Sequence, residues 1–287
     1  MHFYLNGEIV ERGLAKVSIL DHGFTVGDGV FETLKIVDGH CFALERHLVR
    51  LRNSANGMGL ICPDATELRN AVAQTLAANE LLSLGRLRIT LTSGDGPLGS
   101  DRTNGNSTLA VTLAPANTWP QFTSAVLVPW VKNERSSLVG LKTTSYGENV
   151  VALELAHKLG FSEALYCDTQ GRLSEGTGSN IFLVSGGELF TPAMSAGLLA
   201  GITRDLVLDL ATEIGIPTNV QDLDEDFLLN ADEAFLTSST RDVHPIDRLG
   251  KTDQSGNLSD DIAMTKHEIT SKLRDAFNSI SNSSIEI

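Results

Sequence analysis

Short strand-like runs recur along both halves of this chain, with amphipathic helical stretches set among them but not alternating one for one. That pattern predicts α+β sheets in each half instead of a regular βαβ repeat. HFYLN and GEIV open the first half as strands, and GDG at Gly27–Gly29 is a turn signal. It leads into VFETLKIV, whose alternation places Phe31, Thr33 and Lys35 on one face. Val30, Leu34 and Ile36 fall on the other face, and Glu32 falls with them. In LERHLVRLRNSANGMG, Leu44, Leu48, Leu51 and Ala55 stand at helical spacing before a glycine stop. A second helix starts near Asp64, with Leu68, Val72 and Leu76 repeating at four. RLRITLT (Arg86–Thr92) reads as a strand with Arg86, Arg88 and Thr90 opposite Leu87, Ile89 and Leu91.

APANTWPQ (Ala114–Gln121), with two prolines among polar residues, separates two strand-like runs and reads as a linker. The expected division of the 287 residues is a small N-terminal α/β domain over 1–113, the linker over 114–121, and a larger C-terminal domain over 122–287. In the second half SAVLVPW is strand-like and ENVVALELAHKLG is a helix ending at Gly160. EALYC, NIFLV and ELFTP are strands, GITRDLVLDLATEIG is a helix with Leu206, Leu210 and Ile214 on its core stripe, and EAFLT is a strand. Asp260–Ser279 is expected to form a C-terminal helix, followed by a frayed Ser/Asn-rich tail to Ser284.

Composition removes several classes of function. The net charge of −14 opposes a nucleic-acid footprint, which needs a basic surface. No run approaches the ~18 apolar residues of a membrane helix, and MHFYLNGEIVERG has no secretory pattern. Three cysteines without metal spacing fit a reducing compartment, so cytoplasm is the expectation. GDG and SGDGPLGS do not fit G-x-G-x-x-G, and neither a GK[ST] loop nor a G-x-S-x-G elbow occurs. No metal site is expected.

An acidic chain must bind any anion locally, which makes its eight lysines informative. Lys142, in LVGLKTTSYGENV, follows an apolar patch and has hydroxyl residues but almost no charge beside it. Desolvation there favours an amine able to form an imine, whereas most lysines are solvated surface residues. GRLSEGTGSN sets one carboxylate, Glu175, among glycines and hydroxyls between two strands. It is either a solvated residue of a hairpin loop or a carboxylate aimed at a closely approaching ligand. AGITRDLV opens a helix with free N–H groups, an anion site or an ordinary Thr N-cap. TSSTRDV offers hydroxyls in a turn, and its His244 reads as structural. Arg50 lies between apolar helix positions and needs a buried partner, for which a phosphate is suitable.

Taken in order, NGEIV, DHGFTVGDGVFETLKIVDG, ERHLVRLRNSA, LKTTSYGENVVALELA, EALYCDTQGRLSEGTGSNIFLV, GITRDLVLDLA and EAFLTSSTRDVHPI resemble the class IV aminotransferase family, the fold-type IV enzymes that use pyridoxal 5'-phosphate (PLP). The family includes branched-chain and D-amino-acid aminotransferases, (R)-amine transaminases and 4-amino-4-deoxychorismate lyases. The resemblance implies a two-domain α+β fold of the D-amino-acid aminotransferase type, with a cofactor-binding C-terminal domain. It also implies a homodimer. It implies that Lys142 forms the Schiff base with PLP and moves the substrate's α-proton, and that Glu175 pairs with the pyridine nitrogen. Arg50 would bind the phosphate with Ile202, Thr203 and Ser239; Tyr146 would reach the 3'-oxygen, and Leu199 would pack on the ring.

The substrate side departs from the family's best-known pattern. Where D-amino-acid enzymes carry an Arg-x-His trap, this chain has Leu98 and Ser100, within a segment, Gly94–Arg102, expected to be a mobile lid. Phe31 stands in place of a tyrosine, and Lys35 in place of an arginine of branched-chain enzymes. Arg88 matches an arginine near the substrate carboxylate in those enzymes, so Arg88, with Lys35, is expected to replace the trap; a structural ion pair is the other reading. The implied function is transfer of an amino group from an amino acid or (R)-amine to an α-keto acid. The alternatives are elimination of pyruvate from 4-amino-4-deoxychorismate to give 4-aminobenzoate, and non-catalytic binding of a small molecule.

Overall fold

The structure is a computed structural model that describes residues 1–103 and 107–283, and it divides into two compact units. One comprises Met1–Thr118 and Leu141–Tyr146; the other comprises Trp119–Gly140 and Gly147–Ser281.

The first unit contains β1 (His2–Leu5), β2 (Glu8–Glu11), α1 (His22–Thr25), β3 (Gly29–Val37), β4 (His40–Cys41), α2 (Leu44–Gly57), α3 (Ala65–Ala77), β5 (Leu84–Thr92) and β6 (Thr108–Pro115). Its sheet runs β2-β1-β6-β5-β3-β4, and all of its ladders are antiparallel. The period-2 pattern read from VFETLKIV and RLRITLT holds. Val30, Leu34, Ile36, Leu87, Ile89 and Leu91 are fully buried, and they pack with Leu48, Leu51 and Ala55 of α2 and Leu68 and Val72 of α3. Asp64 caps α3 by accepting from Glu67 N–H at 2.9 Å. The expected lid is tethered: Arg102 Nε donates to Asp28 at 2.6 Å, and His22 Nε2 lies 2.9 Å from Pro97 O.

The second unit contains β7 (Thr123–Lys132), α4 (Gly147–Lys158), β8 (Glu163–Asp168), β9 (Leu173–Gly176), β10 (Asn180–Ser185), β11 (Glu188–Pro192), α5 (Ile202–Glu213), β12 (Thr218–Gln221), α6 (Glu225–Leu229), β13 (Glu233–Ser238), β14 (Asp242–Thr252), β15 (Leu258–Ala263) and α7 (Glu268–Ser283). Its sheet runs β12-β11-β10-β13-β14-β7-β8-β9, with β15 also paired to β14. The ladders are mixed: β14–β7, β7–β8 and β11–β12 are parallel. Strands β8, β10 and β13 are buried almost throughout, as expected where both faces are covered. Phe182 and Phe235 stack at 4.9 Å across β10 and β13.

Two expectations are corrected. Asp260 does not start a helix: Leu258–Ala263 is β15, paired with β14 from Arg248 to Thr252, and the last helix begins at Glu268. That helix continues to Ser283, so the tail expected to fray is helical as far as it is described; Ser284 lies outside the described residues.

Candidate active site

Strand β4 is only two residues long and pairs with Ile36 and Val37, so it leaves the N-terminal part of β3 without that neighbour. Its backbone groups need partners, and Leu141–Tyr146 supplies them. Val30 and Thr143 form an antiparallel bridge, Thr144 N–H donates to Gly29 O at 2.8 Å, and Phe31 N–H donates to Lys142 O at 3.0 Å. Lys142 N–H donates to Ser54 Oγ on α2 at 3.0 Å. The hydroxyls of Thr144 and Ser145 both donate to Gly27 O, at 2.9 and 3.0 Å. Gly27 has φ +71°, the left-handed region its turn requires. Lys142 is thus fixed by its backbone.

The Lys142 amine lies 4.6 Å from the centroid of the Phe31 ring. The Arg88 guanidinium lies 3.6 Å from the same centroid, and Tyr146 meets the ring edge-on at 5.2 Å. Such cation–ring contacts are worth about 0.5–2 kcal/mol each. Arg88 Nε donates to Thr90 Oγ1 at 3.2 Å, and burial lowers the Arg88 pKa. No carboxylate pairs with Arg88 among the described residues. Lys35 is half-buried on the face of β3 that carries Phe31. Leu98 and Ser100 are exposed.

Glu175 is not a solvated loop residue. It stands on β9, is 6% exposed, and takes the Lys132 ammonium from β7 on Oε1. Oε2 accepts Leu199 N–H at 2.9 Å and Asn180 Nδ2 at 3.3 Å. A carboxylate at that depth needs a cation and several donors, and it has both. Asn180 Nδ2 also donates to Leu199 O at 3.0 Å. A Cβ on Gly201 would lie 1.9 Å from Asn180 Oδ1, so only glycine lets the chain pass there into α5.

Thr203 is not an N-cap. Gly201 is, without a side-chain cap, and Ile202, Thr203 and Arg204 follow as buried first-turn residues. Arg204 Nη2 donates to Pro192 O at 3.1 Å, while its buried Nε has no partner. Ser239 is half-buried in the turn between β13 and β14, next to Ser238, whose Oγ accepts Arg241 N–H at 3.2 Å. Thr237 Oγ1, in the same stretch, is buried without a partner. An uncapped helix start, an unsatisfied guanidinium N–H and an unsatisfied hydroxyl are the donors a phosphate monoester satisfies, so this unit's residues fit PLP chemically.

Arg50 already has a buried partner in the protein. Its Nε and Nη2 donate to Glu32 Oε1 and Oε2, both at 2.8 Å, and His47 Nδ1 lies 2.6 Å from Oε2. Glu32 is fully buried, whereas the Arg50 side chain keeps 12% of its surface exposed. His244, expected in a turn, lies within β14, with its Nε2 2.9 Å from Pro120 O. Sequence reasoning missed Lys132, Asn180, Glu32 and His47 as partners. Only Glu32 carried a signal, as the one charged residue on the apolar face of β3.

The model of the family described as "Amino-transferase class IV" matches residues 29–249. A Methanocaldococcus jannaschii protein provisionally named a branched-chain-amino-acid aminotransferase is 35% identical over 98% of this chain and 96% of its own. A Bacillus licheniformis D-alanine aminotransferase is 30% identical over 89% of this chain and 91% of its own. Among solved structures, a branched-chain aminotransferase from Thermoproteus uzoniensis with norvaline superposes with a TM-score of 0.90 at 29% identity, covering 98% of this chain and 95% of its own.

Proposed function

This chain belongs to the class IV aminotransferase family, with its fold-type IV α+β architecture, and on that premise we propose that it is a PLP-dependent transaminase moving an amino group from an amino acid or (R)-amine to an α-keto acid. The observation that carries the reading is one ring, Phe31, in contact with both the amine of a lysine whose backbone is fixed and a guanidinium that has no carboxylate partner among the described residues. The first suits an aldehyde and the second a substrate carboxylate.

When bound, PLP supplies a ring that takes up the electron pair released as the substrate's α-carbon loses its proton. Lys142 would bind the aldehyde and would hold and return the proton of the substrate's α-carbon. Glu175 would accept a hydrogen bond from the pyridine nitrogen and keep it protonated. Arg50 would bind the phosphate, with Ile202, Thr203 and Ser239; Tyr146 would reach the 3'-oxygen, and Leu199 would pack on the ring. Arg88 and Lys35 receive the substrate carboxylate, with Phe31 as an apolar wall. The free thiols of Cys41, Cys62 and Cys167 fit a reducing cytoplasm, and among the described residues no helix is long and apolar enough to cross a membrane.

The test is spectroscopic. The visible band of the reconstituted protein bleaches with an amino donor and returns with a keto acid. A screen of L- and D-amino acids and (R)-amines identifies that donor. Pyruvate release from 4-amino-4-deoxychorismate without any such half-reaction would make the protein a lyase, and no band at all would make it a binder. In the same assay Arg88→Ala raises KM for α-keto acids roughly 10- to 100-fold, the loss of a charge-assisted hydrogen bond worth about 1.5–3 kcal/mol. An unchanged KM excludes the carboxylate role.

The first unit exposes Leu14, Val17, Ile19 and Phe24 within a dozen residues, with Ile19 and Phe24 about three-quarters exposed. We assign this apolar stretch to a homodimer contact. Sedimentation should give about twice the 30.8 kDa chain mass; a monomer at micromolar concentration would refute it.

A further inference from the structure

We propose that Glu32 and His47 are positioning residues that preset the Arg50 guanidinium for the cofactor's phosphate. This rests on the phosphate role of Arg50 given above. Glu32 grips Arg50 side-on, through Nε and Nη2 at 2.8 Å each, which fixes the guanidinium plane and leaves Nη1 in one orientation. His47 then fixes the carboxylate, since its Nδ1 sits 2.6 Å from the oxygen that also receives Nη2. Burial keeps the His47 pKa below the usual histidine range, so at neutral pH the ring is uncharged and Nδ1–H is the donor. Burial alone would raise the Glu32 pKa, yet the Arg50 charge and the hydrogen bonds from Arg50 and His47 hold it down at about 2. Glu32 is therefore an anion at neutral pH.

The alternative is an anchor that merely ties α2 to β3. A buried ion pair is a poor anchor, because well-packed apolar residues of similar volume do as well or better. An anchor also has no need of a guanidinium that keeps 12% of its surface exposed beside a carboxylate with none. The pair carries no net charge, and the chain's −14 repels anions at long range. Recognition of a phosphate by Arg50 must then come from directed hydrogen bonds, whose strength depends on the donor being held before the ligand arrives.

The experiment compares PLP with pyridoxal, which has the same aldehyde and ring but no phosphate. Dissociation constants of both are measured on the cofactor-free full chain by absorbance and fluorescence. Glu32→Gln should weaken PLP binding by about tenfold or more and pyridoxal by less than about twofold. His47→Asn, which keeps the Glu32–Arg50 contact, should show the same selectivity at roughly three- to fivefold, and it decides the matter alone if the Glu32 variant does not fold. Equal changes for both ligands, or none for PLP, would overturn the proposal. If the wild-type protein binds the two ligands equally, the phosphate role of Arg50 itself fails. If it discriminates while both variants discriminate as well, only the positioning role fails.

Discussion

Replacing Lys142 with alanine abolishes the visible band of the protein reconstituted with PLP and lowers turnover by about 10⁴-fold or more. Removing a general base alone costs about 10²–10⁴-fold, and this residue is also the amine that meets the aldehyde. The fold survives the change, because the hydrogen bonds that fix the segment come from the backbone: Lys142 N–H to Ser54 Oγ and Phe31 N–H to Lys142 O. Melting temperature should move by a few degrees at most, on the order of a half-buried side chain's worth of packing. Among the other lysines, Lys132 does not substitute, since its ammonium is held by Glu175. Absorbance spectra and single-turnover rates check the result. A Lys142→Ala protein that keeps its visible band would remove this lysine from the chemistry and leave the proposed function without its amine.

What the sequence made legible divides by the range of the interaction. The two-residue period of VFETLKIV and RLRITLT is local, and the burial of Val30, Leu34, Leu87 and Ile89 follows it directly. Lys142 and Glu175 stood out because their neighbours carry little charge, which is also local. Lys132 had no such mark: its partner is 43 residues away and meets it only because β7 and β9 flank β8 in one sheet. The same cause explains β15. Acidic residues at Asp260 and Asp261 read locally as the first turn of a helix, but β14 needs a neighbour from Arg248 to Thr252, and that pairing overrides the local preference. Glu32 sits between these cases. Its place on an apolar face was visible in the sequence, but helix periodicity alone did not identify His47 and Arg50, one turn apart on α2, as its partners.

Glu175→Gln is expected to lower turnover by roughly 10²–10³-fold while leaving the protein folded and able to bind PLP. The amide keeps the shape of the side chain but offers one acceptor oxygen where Lys132, Leu199 N–H and Asn180 Nδ2 now share two. The Lys132 side chain is 27% exposed, so water screens much of the lost ion pair and the stability cost is about 1–2 kcal/mol, below the 3–5 of a fully buried pair. The catalytic cost is larger because it falls on the transition state. A neutral amide cannot stabilise a proton on the pyridine nitrogen, and the negative charge leaving the substrate's α-carbon then has a weaker acceptor. Binding is spread over phosphate, ring and aldehyde contacts, so the dissociation constant of PLP should change by less than about tenfold. A large fall in kcat with a small change in PLP affinity is therefore the signature. A kcat within about threefold of wild type would show that Lys132 and Glu175 form only a structural pair, with the pyridine nitrogen served from elsewhere.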